Sequence, residues 1–213
     1  MRKIFTKISI TALALTPPAN DISFWAMAVR PRLTTSKVVD AALELVDEQG
    51  VEGLTLAAVA ARTGVATPSL YKHVASLADL RGHVGVRLLE EMAERFTRAV
   101  LGLAGDEAVA ALMHAYRAYV NEHPKRYAAM PMDPLHDELQ RAAGMKLMEI
   151  QLATLRGYGI EGSAAIHATR RLRVIVHGFA SIESSGGFGL PEGLDDTYDQ
   201  LIRMYLTDLR GTR

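Results

Sequence analysis

The sequence predicts an all-α protein of about nine helices, a short three-helix unit followed by a longer helical bundle. Three observations carry this. Apolar residues recur at spacings of three and four through most of the chain, the period of one helix face. No segment shows the strict alternation of a half-buried strand. Proline falls at the starts of or between the periodic segments, and most glycines fall between them, apart from Gly82, Gly85, Gly144, Gly162 and Gly178. Internal repeats and low-complexity tracts are absent.

The first helix is expected over 36–49, where Val38, Val39, Ala42, Leu43 and Val46 make one stripe and Gly50 ends it. Asp47 and Glu48 oppose the dipole at its C-terminal end and are read as solubilising surface. Thr55 is a good N-cap for the second helix, in which Leu56, Val59 and Ala60 share a face. Gly64 can take the left-handed conformation that stops it. Thr67 is read as the next cap, with Pro68 at the first helical position, where a missing N–H costs nothing. Leu70 and Val74 lie one turn apart and can pack back onto the preceding helix. Two short helices joined by a tight glycine turn make a helix-turn-helix. Its second helix carries Thr67, Ser69, Tyr71, Lys72 and His73, a donor-rich set of the kind that phosphates and base edges require.

Ser76 and Asp79 have the spacing of a capping box. The helix they open runs to about residue 101, with Leu80, Val84, Leu88, Met92, Phe96 and Val100 at every fourth position. Gly82 and Gly85 fall in its first turns and lower its local rigidity. Gly102 and Gly105 break it. Further helices are expected over 106–121 with Asp106 as cap, 124–130, 135–156, 161–184 and 194–209, with a glycine-rich loop at 185–193.

Residues 1–28 do not fit this pattern. Arg2, Lys3 and Lys7 precede a short apolar run and Pro17-Pro18, the order of a secretory signal, but the run is at the short limit. The segment is read as a disordered or non-native upstream extension, with Met27 as a candidate start. The remaining organisation is expected to be 29–80 for the helix-turn-helix unit and 81–213 for the bundle.

Composition narrows the function classes. The 213 residues hold no cysteine, which excludes disulfides, thiolate zinc sites and cysteine nucleophiles. Lys plus Arg equals Asp plus Glu at 24 each, so charge alone does not mark a nucleic-acid binder. No apolar run approaches the about 18 residues of a membrane span. The seven histidines form no i, i+4 pair and no His-Glu-x-x-His motif, so no metal is expected. The 186–189 loop lacks the strand and the Lys-Ser/Thr of a phosphate cradle. No Gly-x-Ser-x-Gly elbow is present. A helical-bundle enzyme would need a convergent set of titratable groups that the sequence does not offer. A helical adaptor without DNA binding is the other alternative, and an intact recognition helix argues against it.

The residues Gly64-Val65, Ser69-Leu70-Tyr71, His73-Val74 and Ser76 give the order GV…P-S-L-Y-K-H-V-x-S. This order resembles the TetR family of bacterial transcriptional repressors. In the family a basic residue usually follows the Ser76 position; here Leu77 stands there. The rest of the chain resembles the C-terminal ligand-binding and dimerisation domain of such regulators. It is most similar to a subgroup with a Trp-His-Gly signature, present here as Val176-His177-Gly178. Gly186-Gly187-Phe188-Gly189-Leu190-Pro191 before the last helix suits that subgroup too.

The resemblance implies a cytoplasmic homodimer that binds a palindromic operator and a small-molecule effector, with no enzymatic activity, no cofactor and no membrane partner. It assigns DNA contact to Tyr71 and His73. Thr67, Pro68, Ser69 and Lys72 stand beside them, with Lys72 the best guanine reader by chemistry. Thr55 can donate to a phosphate as well as cap its helix. Arg30, Arg32 and Lys37 can form a basic arm. Soft and amphipathic residues on the bundle helices are candidates for an effector pocket: Met113, Tyr116, Tyr119, Tyr127, Met130, Met145, Met148 and His177. They suit an apolar or aromatic ligand. Arg170, Arg171 and Arg173 are read as a solvated face, with a carboxylate site as the alternative. Leu172, Ile175, Val176 and Phe179, with Tyr198, Leu201, Ile202, Tyr205 and Leu209, are the expected four-helix dimer interface.

Overall fold

Nine α-helices follow one another in the computed structural model, which describes residues 32–212. They are α1 (Thr35–Gln49), α2 (Leu56–Thr63), α3 (Thr67–Leu70), α4 (Leu77–Val100), α5 (Gly105–Glu122), α6 (Pro124–Ala128), α7 (Arg141–Leu155), α8 (Gly162–Ser184) and α9 (Leu194–Gly211). No strand occurs among the described residues. The extension at 1–28, with its candidate start at Met27, lies outside them.

Two apolar cores lie along α4. Leu80, Val84 and Leu88 belong to the first, with Val38, Leu43 and Val46 of α1, Val59 of α2 and Leu70 of α3. One to two turns further on, Met92 and Phe96 enter the second, with residues of α5, α8 and α9. The helix runs through the expected boundary at 80–81 without a break. Its start is well closed. The Ser76 hydroxyl accepts from the amide of Asp79 at 3.0 Å, and the Asp79 carboxylate accepts from the amide of Ala75 at 2.7 Å. Both ends of a capping box are satisfied, shifted by one residue on the acidic side.

Several local expectations change. Thr67 is not a cap: Ala66 is the extended residue before α3, and no side chain closes that first turn. The Gly64 turn (φ 69°) sets this register, with the amide of Val65 returning to the carbonyl of Ala60. Asp106 is not a cap either. The chain enters α5 through Ala104, and Asp106 instead accepts from the Tyr158 hydroxyl at 2.6 Å and pairs with Arg210. Residues 135–140 are turns and not helix. Asp137 takes the amide of Gln140 at 3.0 Å, so α7 starts only at Arg141.

Asp47 and Glu48 have structural partners after all. Arg126 of α6 forks onto Asp47 at 2.6 and 2.7 Å and reaches Glu91 of α4 at 2.9 Å. That hydrogen-bonded guanidinium holds the Asp47 carboxyl below the usual carboxylate range. Glu48 pairs with Arg62. Lys125 donates to the Asp47 and Glu48 carbonyls, a cation where the helix dipole favours one.

The expected dimer set is mostly interior. Leu172, Val176, Phe179, Tyr198, Ile202, Tyr205 and Leu209 are buried within the protomer, and Ile175 and Leu201 half-buried. The Tyr198 hydroxyl donates to the Met113 carbonyl at 2.7 Å, and that of Tyr205 to the Ala168 carbonyl at 3.0 Å. The stripe is consumed by α5 and by α8–α9 packing, which leaves a different flank outward. That flank carries Val174, Ile182 and Met204.

Arg117 of α5 clamps this core. Its guanidinium lies 4.8 Å from the Tyr198 ring centre and 5.2 Å from that of Phe179. It also binds Glu183 through Nε at 2.7 Å and Asp195 at 2.8 Å. Arg117→Met should lower the unfolding free energy by about 2–4 kcal/mol, because Glu183 is left without its countercharge in a mostly buried site. Urea unfolding checks this. A loss within about 0.5 kcal/mol would mean that Glu183 reaches water easily.

Candidate functional site

The helix-turn-helix presents one continuous exposed edge. Leu70 and Val74 point inward and are fully buried against α1, α2 and the start of α4. Helical geometry then turns their neighbours outward. Tyr71 is 56% exposed, Pro68 and Lys72 are exposed, and Thr67, Ser69 and His73 are half-buried beside them. Tyr71 is therefore not a core ring. α3 itself is one turn long, and the chain continues it in turns, with the amides of His73 and Val74 bonded to the Leu70 carbonyl at 2.8 and 3.0 Å. The Thr35 hydroxyl donates to the His73 carbonyl at 3.4 Å and docks α1 on this turn. The Thr55 side chain accepts from the amide of Ala58 at 3.1 Å, and its own proton remains available to an acceptor outside. Arg32 and Lys37 are exposed at the start of α1, and Arg30 lies outside the described residues.

A second site is a cavity of about 790 Å³ in the bundle, walled by α4, α5, α6, α7 and α8 and by residues 130–136. Of the eight pocket candidates, Tyr116, Tyr127, Met130, Met148 and His177 line it. Three do not. Met113 is buried in the second core. Tyr119 is buried facing His123, at 5.4 Å between ring centres, with Arg95 over its ring. Met145 is on the outer side of α7, 38% exposed. Helical spacing alone could not tell these faces apart, because α5 and α7 are each packed on more than one side.

Tyr116, Tyr127 and His177 form a hydrogen-bonded chain at the cavity wall. The two hydroxyls are 2.9 Å apart, and that of Tyr127 is 2.7 Å from Nδ1 of His177. Burial pushes both tyrosine pKa values up, so these groups act as neutral hydroxyls. Sequence reasoning missed Leu89, Met92, Pro131 and Leu135, which also line the cavity, as do Arg170 and Arg173, read from the sequence as a solvated face with a carboxylate site as the alternative. A signal existed: 166, 169, 170, 173, 177 and 181 recur along one stripe of α8 that includes His177. The arginine trio divides. Arg171 pairs with Asp208 at 2.8 Å, whereas Arg170 and Arg173 turn to the cavity.

The cavity wall touches α4 closely. A Cβ on Gly85 would sit 3.3 Å from the ring of Pro131, and one on Gly82 would sit 2.9 Å from the Leu139 side chain. The two glycines thus let the 131–140 segment lie against α4. The expectation of lowered rigidity missed this packing role.

Known proteins match both parts of the chain. Residues 38–82 match the model of bacterial regulatory proteins of the tetR family, and residues 109–205 match that of the Tetracyclin repressor-like C-terminal domain. An uncharacterized HTH-type transcriptional regulator of Mycobacterium tuberculosis is 35% identical over 161 residues, 73% of this chain and 72% of that one. Another, YobS of Bacillus subtilis, is 34% identical over 185 residues, 86% of this chain and 96% of its own. A TetR variant from Acinetobacter baumannii, solved in complex with minocycline, superposes with a TM-score of 0.64 at 21% identity, over 85% of this chain and 99% of that one. The exposed helix-turn-helix edge, the helical bundle behind it and these matches together make the chain a TetR-type transcriptional regulator.

Proposed function

We propose that the protein is a dimeric repressor that binds a palindromic operator through α2 and α3 and leaves it when a small apolar or aromatic molecule fills the bundle cavity. The supporting observation is α4. Leu89 and Met92 stand in the cavity wall, and Leu80, Val84 and Leu88 stand in the core that carries the recognition turn. One rigid helix therefore belongs to both sites. A ligand that displaces the 131–136 wall presses on α4 at Gly85 and tilts the attached head. For release, the ligand must prefer the tilted form by about 1–3 kcal/mol, and operator must weaken the ligand by the same factor. The minocycline complex of the Acinetobacter relative fits an effector role for such a bundle. A cytoplasmic location follows from operator binding.

The direct test is fluorescence anisotropy with duplex DNA from immediately upstream of the gene. Operator affinity should fall by roughly a hundredfold or more between about 50 and about 200 mM salt, as released counterions require for several phosphate contacts. Random duplex should bind far more weakly throughout. Equal affinity for the two duplexes would refute the operator reading.

A further inference from the structure

We infer that the cavity takes an organic acid: a molecule with an apolar body and one carboxylate or similar oxyanion, gripped by Arg173 and Arg170. This rests on the effector reading of the same cavity and names the chemistry it selects.

The cavity's charge balance is the reason. Its ionisable lining comprises Arg170, Arg173, Asp133, His136 and His177, with the neutral Tyr116 and Tyr127. The one carboxylate, Asp133, is already engaged by His136 at 2.8 Å. Arg62, Arg87, Arg95, Arg117, Arg126, Arg171 and Arg210 each pair with a carboxylate. Arg170 and Arg173 pair with none among the described residues; the same holds for the exposed Arg81, Arg98, Arg141, Arg156 and Arg203, but of these seven only Arg170 and Arg173 line the cavity. Arg173 donates to the Met132 carbonyl at 3.1 Å, lies 3.9 Å from the Met132 sulfur and interacts with the Tyr116 side chain, all neutral partners that leave its charge unmatched. Two guanidiniums without countercharge at one apolar cavity favour an anion, and a planar fork matches a carboxylate bidentately.

The remaining walls define the rest of the molecule. Leu89, Met92, Met130, Leu135, Leu147 and Met148 supply apolar surface across the cavity from α8. An inorganic anion would leave that surface uncovered, and a neutral hydrocarbon would leave the arginines unmatched. One turn along α8 from Arg173, His177 and its tyrosine partners can bond a second oxygen of the same ligand. The volume of about 790 Å³ accommodates a medium-chain or bicyclic acid.

The test uses two acids and their alcohols, octanoate with octan-1-ol and 2-naphthoate with 2-naphthylmethanol. Each is titrated calorimetrically into the full chain. At least one acid should bind about tenfold more tightly than its alcohol. Arg173→Met and Arg170→Met should each remove most of that preference while leaving alcohol binding unchanged, and Arg173→Lys should restore part of it. Unchanged operator binding and melting temperature establish that the variants fold. Acids that bind no better than alcohols, equal loss of both in Arg173→Met, or no binding by any of the four at about 1 mM would each overturn the acid site. An acid that binds as expected yet leaves operator affinity unchanged would keep the site and refute the effector reading instead.

Discussion

Tyr71→Ala combined with Lys72→Ala is expected to weaken operator binding by roughly a thousandfold or more without unfolding the protein. The size comes from symmetry. Each recognition turn loses two contacts and a dimer carries two turns, so four contacts go at once. At about 1–1.5 kcal/mol each, near the low end for base and phosphate contacts, the sum is about 4–6 kcal/mol, which consumes much of the usual gap between specific and random DNA. Stability should hold within about 1 kcal/mol, since both side chains are outward and alanine suits a helical turn. The single variants should differ in kind. Tyr71→Ala weakens all sequences alike, as loss of a phosphate contact does, while Lys72→Ala relaxes selection at one position of each half-site. Anisotropy on operator duplexes with each base substituted in turn separates the two. Operator affinity within threefold of wild type in the double variant would move the contact surface off this turn.

The helix-turn-helix was legible in the sequence because its signals are local. Gly64 needs positive φ, Leu70 and Val74 need an inward face, and Ser76 with Asp79 closes the next helix within four residues. The bundle was legible as helices but not as faces. On α8 and α9 the apolar stripes were read correctly, yet whether Tyr198 or Met204 points outward depends on where α5 lies, and that is a long-range fact. Tyr198 bonds the carbonyl of Met113, 85 positions away. Ionic partners were invisible for the same reason. Asp47 meets Arg126 across 79 positions, so a carboxylate that looked misplaced at a helix end is part of the joint between α1, α4 and α6. The cavity arginines shared that obscurity. Arg170, Arg171 and Arg173 are neighbours in sequence, and only the placement of α9 separates Arg171, bound to Asp208, from the exposed pair that lines the cavity.

That long-range packing also relocates the surface through which two protomers should meet. Phe179 faces Tyr198 at 5.0 Å between ring centres, and Tyr205 reaches Ala168, so α8 and α9 run antiparallel with one flank inward. The opposite flank exposes Val174 (71%), Ile182 (44%) and Met204 (56%), large apolar side chains whose exposure water disfavours. Gly178, at which a Cβ would meet nothing within 4 Å, lies one turn from Val174 and from Ile182 and permits close approach of a partner helix. Val174→Glu with Ile182→Glu should therefore produce monomers. The four carboxylates in a would-be dimer lose their hydration on assembly and repel one another. Each protomer should keep its fold, because neither position enters the core. Leu201→Asp with Tyr205→Asp is the contrasting case. Tyr205 is 1% exposed, so that pair should unfold the protomer rather than merely separate two. The monomer should lose operator binding by about a hundredfold or more, since a single recognition turn holds only one half-site and the two turns of a dimer must enter grooves roughly 34 Å apart. Analytical ultracentrifugation at micromolar concentration with far-UV circular dichroism reads both effects. A wild-type chain that sediments as a monomer, or a Val174→Glu, Ile182→Glu protein that remains a dimer, would place the interface elsewhere.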